Sequence, residues 1–435
     1  MMEQSDDDLL RHSQFIGALP PPVAEALDEL DRRNAAGRIW ARDHTLWKPN
    51  PTEIADRLGW LDIAGDMANQ VPELEAFAEE VRAEGCQHVA LLGMGGSSLG
   101  MEVLARILGS APGFPQLLVL DSVLPSTVQQ VSQVIDPSRT LFVAASKSGG
   151  TVETLSLYRH FRQSTEQIAG KSQAGRRFVA ITDPKTPLDA LGREHQFRKV
   201  FLNPPDIGGR YSVLSLFGLV PAALMGINLH ALLGRAQSMQ ARCAAGIPLA
   251  KNPGIWLGAA LGGLARRGRD KLTLAASPSL SSFGLWAQQL IAESTGKEGK
   301  GIVPIANEPL AAPQHYGRDR VFVYARLAGD DNSALDSALE KIAAAGHPVL
   351  RLTWQDKMDL GGEFYRWEFA TAVAGALLGV NPFDQPDVQS AKDTTDQALA
   401  AYSRSGRLPD AATGGSLRSF LGNAPQGSYW RRWPT

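Results

Sequence analysis

The stretch His88-Val-Ala-Leu-Leu-Gly-Met-Gly-Gly-Ser-Ser-Leu-Gly100 decides how the chain is read. A short apolar run, His88 to Leu92, has the character of a buried strand. A loop of Gly and hydroxyl residues follows, and a helical pattern comes after it. The plan repeats at Thr140-Leu-Phe-Val-Ala-Ala145, which leads into Ser146-Lys-Ser-Gly-Gly-Thr151 and another helical pattern. Strand, Gly-rich loop and helix start together suit a phosphate group. Glycine lets the backbone approach a ligand closely, and free N–H groups at the helix start point at an anion that the helix dipole favours. Ser146, Ser148 and Thr151 add hydroxyl donors, and Lys147 adds a full positive charge. Gly and Ser are also ordinary turn and N-cap residues, so the first loop alone fits a plain turn as well as an anion site. The second loop gathers more hydroxyls than capping requires. The pair predicts two walls around one phosphorylated ligand.

Working outward, apolar runs at 88–92, 117–120, 140–145, 178–182 and 199–202 alternate with amphipathic segments, which indicates parallel βαβ units. A second alternation has runs at 271–275, 301–305, 321–325 and 349–353. A Ser-rich loop (Ser277, Ser279, Ser281, Ser282) follows its first strand. The expected fold is α/β, with two doubly wound parallel-sheet domains. The expected division is an N-terminal helical segment over 1–80, a first domain over 81–210, a helical linker over 211–268, a second domain over 269–400 and a C-terminal tail over 401–435. Tyr211 to Gly234 carries no acidic, Lys or Arg residue and is long enough to span a bilayer. Its Ser212, Ser215, Pro221, Asn228 and His230 favour a buried core helix broken near Pro221. A dinucleotide fingerprint is also tested by these loops. Ser98 stands where its third glycine should fall, and Gly100 comes two positions late, which weighs against that ligand.

Composition excludes several classes. The 435 residues, 44% hydrophobic and 20% charged, suffice for two or three domains with substantial cores. A formal net charge of −2 without a long basic block argues against a nucleic-acid surface. Cys86 and Cys243 sit in neither a CxxC pair nor a metal-ligand spacing and read as reduced thiols of a cytoplasmic protein. The opening Met-Met-Glu-Gln-Ser-Asp-Asp-Asp is acidic where a signal peptide would be basic.

Three further motifs stand apart from generic α/β sequence. Asp206-Ile-Gly-Gly-Arg-Tyr-Ser212 presents Arg210 on a Gly-hinged loop, where its permanent charge can stabilise a developing oxyanion. Its other reading is a surface Arg after a turn. Glu293-Ser-Thr-Gly-Lys-Glu-Gly-Lys-Gly301 closes a helix that begins near Ser282 and ends at about Thr295, with Gly296 as its C′ residue. The helix dipole disfavours a negative charge at Glu293, which makes it a better proton acceptor and suits general-base work. An exposed Glu293 paired with Lys297 fits the residues equally well. In Asn381-Pro-Phe-Asp-Gln-Pro-Asp-Val-Gln-Ser-Ala-Lys392, Pro386 fits a helix N1 position. Gln385 and Lys392 could then reach one phosphate-lined pocket.

In this order, Gly-Gly-Ser-Ser-Leu-Gly, Ser-Lys-Ser-x-x-Thr, Gly-Gly-Arg-Tyr-Ser, Glu-Ser-Thr-Gly-Lys and Asn-Pro-Phe-Asp-Gln closely resemble the glucose-6-phosphate isomerase family, built from two flavodoxin-like sugar-isomerase domains. They span residues 93 to 392, most of the chain. Leu46-Trp-Lys-Pro-Asn-Pro and Arg57-Leu-Gly-Trp-Leu resemble the start of the compact isomerase region found fused to transaldolase in some bacteria. With Met1 at the head of its 435 residues, this chain is expected to carry the isomerase region without a transaldolase barrel. The resemblance implies an aldose–ketose isomerase, free of metal and other cofactors, that interconverts glucose 6-phosphate and fructose 6-phosphate. It implies phosphate binding by Gly96, Ser97, Ser146, Lys147, Ser148, Thr151 and Gln385. Glu293 would move a proton between C2 and C1 through a cis-enediolate that Arg210 stabilises.

The family's ring-opening histidine comes from a partner subunit, in a Gly-Gln-His-Ala-Phe context before a helix. The matching candidate here is His315, with Glu153 as its partner. Its surroundings are Ala-Pro-Gln-His-Tyr-Gly-Arg, and a strand follows. Ring opening therefore falls to His315, to Lys392, or to sugar already open, and a homodimer is implied only by the first. A non-catalytic sugar-phosphate sensor would not need Glu293, Arg210 and Lys392 together. Dual specificity for glucose and mannose phosphates is the remaining alternative within the enzyme class.

Overall fold

The structure is a computed structural model that describes residues 13–406, with the backbone alone at 13, 387–393 and 396. Two five-stranded sheets organise it. The strands in chain order are β1 (Ser13–Phe15), β2 (His88–Gly93), β3 (Gln116–Leu120), β4 (Thr140–Ala145), β5 (Phe178–Thr182), β6 (Lys199–Leu202), β7 (Lys271–Ala276), β8 (Val303–Ala306), β9 (Arg320–Leu327) and β10 (Val349–Trp354). The helices needed below are α1 (Leu99–Leu108), α2 (Val152–Ala169), α3 (Leu216–Leu224), α4 (Pro253–Arg266), α5 (Phe283–Thr295), α6 (Leu360–Leu378) and α7 (Pro386–Ser405).

The first sheet has the order β3-β2-β4-β5-β6, all parallel. The chain starts at β2, moves out to β3, then returns to the other side of β2 at β4. That reversal makes the β2/β4 junction a topological switch point, where open α/β sheets leave a crevice beyond the carboxyl ends of the strands. The second sheet has the order β1-β10-β9-β7-β8. Its four later strands are parallel and repeat the same winding. β1 pairs antiparallel with β10, Gln14 opposite Arg351. The segment expected to be helical thus contributes a strand. Ser-Gln-Phe shows no apolar run, and it is extended because the exposed edge of β10 offers unpaired backbone groups.

Central strands are buried on both faces. Every residue of β4 and β5 is buried, as near-continuous apolar runs in parallel sheets require. One apolar core joins the inner faces of both sheets, from Val89, Leu91 and Val143 to Leu272 and Leu350, through α3, α4 and α6. Separate clusters cover the outer faces. α6 is buried along its whole length. It lies close to α4 because α4 turns glycines toward it: a Cβ on Gly258 would stand 2.5 Å from Val373 Cβ. Residues 211–225 are buried, all of α3 among them, whereas Asn228 and His230 further on are exposed. α3 runs through Pro221 and ends at Leu224, so the break comes at Gly226 rather than at the proline. Among the described residues, no helix is long and apolar enough to cross a membrane.

The chain divides into two compact units, Met1–Asp384 and Gln385–Thr435. The second is described through α7, and the expected boundary at residue 400 falls inside that helix.

Candidate active site

β2 and β4 are hydrogen-bonded neighbours, with Gly93 opposite Ala145. Their loops therefore leave the sheet side by side at the switch point. After β2 the backbone makes a tight turn, Gly95–Ser97, before α1. Gly96 has no room for a side chain, since a Cβ there would stand 2.4 Å from the carbonyl oxygen of Gly209. Its absence lets the first loop lie against the Arg210 loop. Gly95 has φ +55, and a Cβ there would meet Gln289 Nε2 at 2.6 Å. The same loop thus touches α5. Ser97 is buried, and its hydroxyl makes no hydrogen bond among the described residues.

After β4, Ser146 is buried and its Oγ lies 2.8 Å from Thr151 Oγ1. Thr151 precedes α2 without capping it by its side chain, so the first N–H groups of α2 stay open to an anion. Ser148 is exposed at the tip. Lys147 does not stand free. Its ammonium forms an ion pair with Asp183 and donates to the Pro205 carbonyl at 2.8 Å. Burial pushes the Asp183 carboxyl above its usual range, against the opposing pull of Lys147. Its other oxygen, Oδ1, is buried without a partner. Asp183 follows β5 in Thr-Asp-Pro and was missed from sequence.

Arg210 is no surface arginine. It is 3% exposed, in the turn Gly209–Tyr211. Its Nη1 donates to Glu293 Oε2 at 3.1 Å and its Nε to Ser294 Oγ at 3.0 Å. Nη2 donates to the carbonyls of Pro382 and Asp384, each at 3.0 Å. A guanidinium held by so many acceptors is fixed in place, which is the condition for electrostatic stabilisation without reorganisation.

Glu293 lies in the last turn of α5, which ends at Thr295 as expected. Gly296 has φ −75, so it closes the helix without the left-handed C′ conformation expected of it. The pairing of Glu293 with Lys297 does not occur. Glu293 is bound by Arg210 and by Gln289 Nε2 at 3.0 Å, with its side chain 33% exposed. Lys297 points instead to Asp384 Oδ1 at 2.5 Å and to the carbonyls of Asn381 and Asp384. Burial lowers the proton affinity of that amine. Two cations therefore clamp the Asn381-Pro-Phe-Asp384 turn, and Gly-Gly-Arg, Glu-Ser-Thr-Gly-Lys and Asn-Pro-Phe-Asp meet around the Arg210 guanidinium. Gln289 was missed from sequence, although it lies one helical turn before Glu293 on the same face.

The two N-terminal motifs brace this centre. Gly59 N donates to the Asp206 carbonyl at 2.9 Å, and the Trp60 ring lies 5.3 Å from that of Tyr211. Trp47 Nε1 donates to Ala372 O at 2.8 Å, with its ring against Phe383.

Other expected residues are not gathered here. His315 ends the turn Pro313–His315 before β9 and is exposed. Glu153, in the first turn of α2, is also exposed. Within one chain the two form no ion pair among the described residues. Gln385 is the N-cap position of α7 and belongs to the second unit. Lys392 is within α7, and its side chain lies outside the described residues.

A doubly wound pair of sheets, with Gly- and hydroxyl-rich loops at one switch point and a fixed Arg–Glu pair beside them, is the architecture of a sugar-phosphate isomerase of the two-domain α/β class. The family model of phosphoglucose isomerase matches residues 66–308. A glucose-6-phosphate isomerase of Rubrobacter xylanophilus is 32% identical over 82% of this chain and 91% of its own length. A hypothetical protein from Thermus thermophilus superposes with a TM-score of 0.74 at 26% identity, covering 89% of this chain and 100% of its own. A glucose-6-phosphate isomerase from Chlamydia trachomatis shares the fold, with a TM-score of 0.74 at 20% identity over 92% of each chain. The chain belongs to the phosphoglucose isomerase family.

Proposed function

We propose that this protein interconverts glucose 6-phosphate and fructose 6-phosphate, and that Glu293 is the base. The observation that carries the reading is the Arg210–Glu293 contact at the mouth of the phosphate loops. The 6-phosphate sits at the β2/β4 switch point, held by Gly96, Ser97, Ser146, Lys147, Ser148, Thr151 and the start of α2. C1 and C2 of the open-chain sugar then reach Glu293. The Glu293 carboxylate takes the proton from C2, and the C–H electron pair forms the C1–C2 double bond. The negative charge develops on the substrate oxygen beside Arg210, whose guanidinium stabilises it. Glu293 returns the proton to C1 while the O2 hydroxyl proton passes to O1, so that C2 becomes the carbonyl and the ketose results. The carbonyl itself acidifies the neighbouring C–H, so correct placement of one base supplies the chemistry.

Gln385 and Lys392 enter this proposal through their sequence motif alone. Ring opening is assigned to His315 of a second subunit, which makes the working form a homodimer. Two cysteines without a disulfide support a cytoplasmic setting.

The test is turnover of fructose 6-phosphate, read by coupled oxidation of the glucose 6-phosphate formed, with and without a chelator. Turnover that survives the chelator is expected. A folded protein that binds the sugar phosphate without turning it over would instead be a sensor.

A further inference from the structure

β7 is followed by Ser277-Pro-Ser-Leu-Ser-Ser282, which leads directly into α5. Strands β8-β7-β9-β10 follow the same order as β3-β2-β4-β5. This Ser-rich loop therefore leaves its sheet at the switch point that corresponds to the phosphate loops of the first sheet. A cavity of ≈ 430 Å³ opens beside it, lined by Arg106, Ser279, Ser281, Ser282, Asn307 and Lys357.

Ser282 occupies the N-cap position of α5, yet its side chain caps nothing. The residue is 7% exposed, and its Oγ is buried without a hydrogen-bond partner. An interior hydroxyl is normally paired, so an unpaired one on a cavity wall points to a missing partner. The Phe283 and Gly284 amides at the start of α5 have no backbone acceptor among the described residues, whereas Leu285 N donates to the Ser282 carbonyl at 3.0 Å, and the helix dipole favours an anion in front of the open pair. Charges decide the sign of the ligand. Arg106 shares its charge with Glu102 at 2.5 Å, and Asp330 accepts from the Ser279 amide and hydroxyl at 2.8 Å each. Lys357 is exposed, and its ammonium makes no hydrogen bond or ion pair among the described residues. It is the cation left over.

We propose that this cavity is a second anion site, where Lys357, Ser281, Ser282 and the start of α5 bind a phosphate group, either free or as the monoester of a small metabolite. It lies at the opposite end of α5 from Glu293 and does not depend on the isomerase reading.

Hydrogen exchange on the full-length protein tests it locally. Inorganic phosphate should slow exchange of the amides over 281–285 in a saturable way. Lys357→Ala should weaken that effect at least about tenfold, as loss of a charge-assisted contact does, and Ser282→Ala should weaken it less. Slowing at the start of α2 reports separately on the first phosphate site and should persist in both variants. Tighter protection by glycerol 3-phosphate than by inorganic phosphate would identify an organic monoester as the ligand. The reverse order would identify free phosphate. No phosphate-dependent slowing over 281–285, or equal slowing in Lys357→Ala, would overturn the proposal.

Discussion

Under the proposed function Lys147 captures the substrate phosphate, yet its ammonium is paired with Asp183. An arriving phosphate must draw the ammonium away from a carboxylate that is itself partly buried. Asp183→Asn removes that competition and keeps the side-chain shape. The expected outcome is a fall in KM of a few fold, on the order of 1 kcal/mol, with kcat unchanged. Steady-state kinetics with fructose 6-phosphate would show it. A rise in KM would mean that Asp183 aims Lys147 at the phosphate rather than withholding it. The lysine was legible from its hydroxyl-rich loop. Its acidic partner was not, because β4 and β5 become neighbours only through the sheet order. Arg210 was legible as a candidate, but two readings stood open until its burial and its bonds to Glu293 and Ser294 separated them.

At the scale of elements, the strands were the readable part. Parallel strands buried on both faces leave near-continuous apolar runs, and the runs at 140–145 and 178–182 fall on strands β4 and β5. β1 left no such trace, because its extended form depends on the edge of β10. Close approach between elements was also hidden, since a glycine does not announce what it touches. Gly96→Ala tests one such approach. The new methyl would press on the Gly209 carbonyl and move the first loop away from Arg210. A displacement of about 1 Å at a reacting centre costs on the order of 10²-fold in rate. A corresponding drop in kcat/KM is expected, with the far-ultraviolet spectrum of the wild-type protein retained. Unchanged kinetics would show that the two loops need not meet.

α6 offers a second test at this scale. Glu368 is fully buried within it, and neither carboxylate oxygen has a hydrogen-bond partner. Burial alone holds its carboxyl well above the usual range. Unfolding exposes the group, which then loses its proton above an ordinary value of about 4.3. Its contribution to stability is therefore full below that value and is lost as pH rises toward the folded-state value. The slope is at most about 1.4 kcal/mol per pH unit. Glu368→Gln should be more stable than the wild type at neutral pH and should remove this slope. Denaturant midpoints between about pH 5 and about pH 8 would measure it. Equal slopes in the two proteins would mean that Glu368 is not held neutral.

For the whole molecule, the open question was where the ring-opening residue comes from. Sequence placed His315 as the candidate and flagged its foreign surroundings, and within one chain it is an exposed residue before β9. If a partner subunit supplies it, Glu293→Gln and His315→Asn should each be inactive alone. Subunits mixed and reassociated should then regain about one quarter of wild-type activity, since half of random dimers are mixed and each carries one intact site. Mixtures that stay inactive, or a fully active His315→Asn, would remove His315 from the site and leave ring opening to Lys392 or to open-chain sugar.

The central claim is that Glu293 carries a proton between C2 and C1. The most direct measurement is isomerisation in deuterium oxide, with the products read by nuclear magnetic resonance. A carboxylate that holds the proton between two transfers exchanges it partly with solvent, so deuterium is expected at C1 of the fructose 6-phosphate formed. Glu293→Gln should lower both turnover and deuterium incorporation by on the order of 10²–10⁴-fold while still binding the substrate. Rapid isomerisation by Glu293→Gln, with deuterium incorporated as in the wild type, would contradict the account.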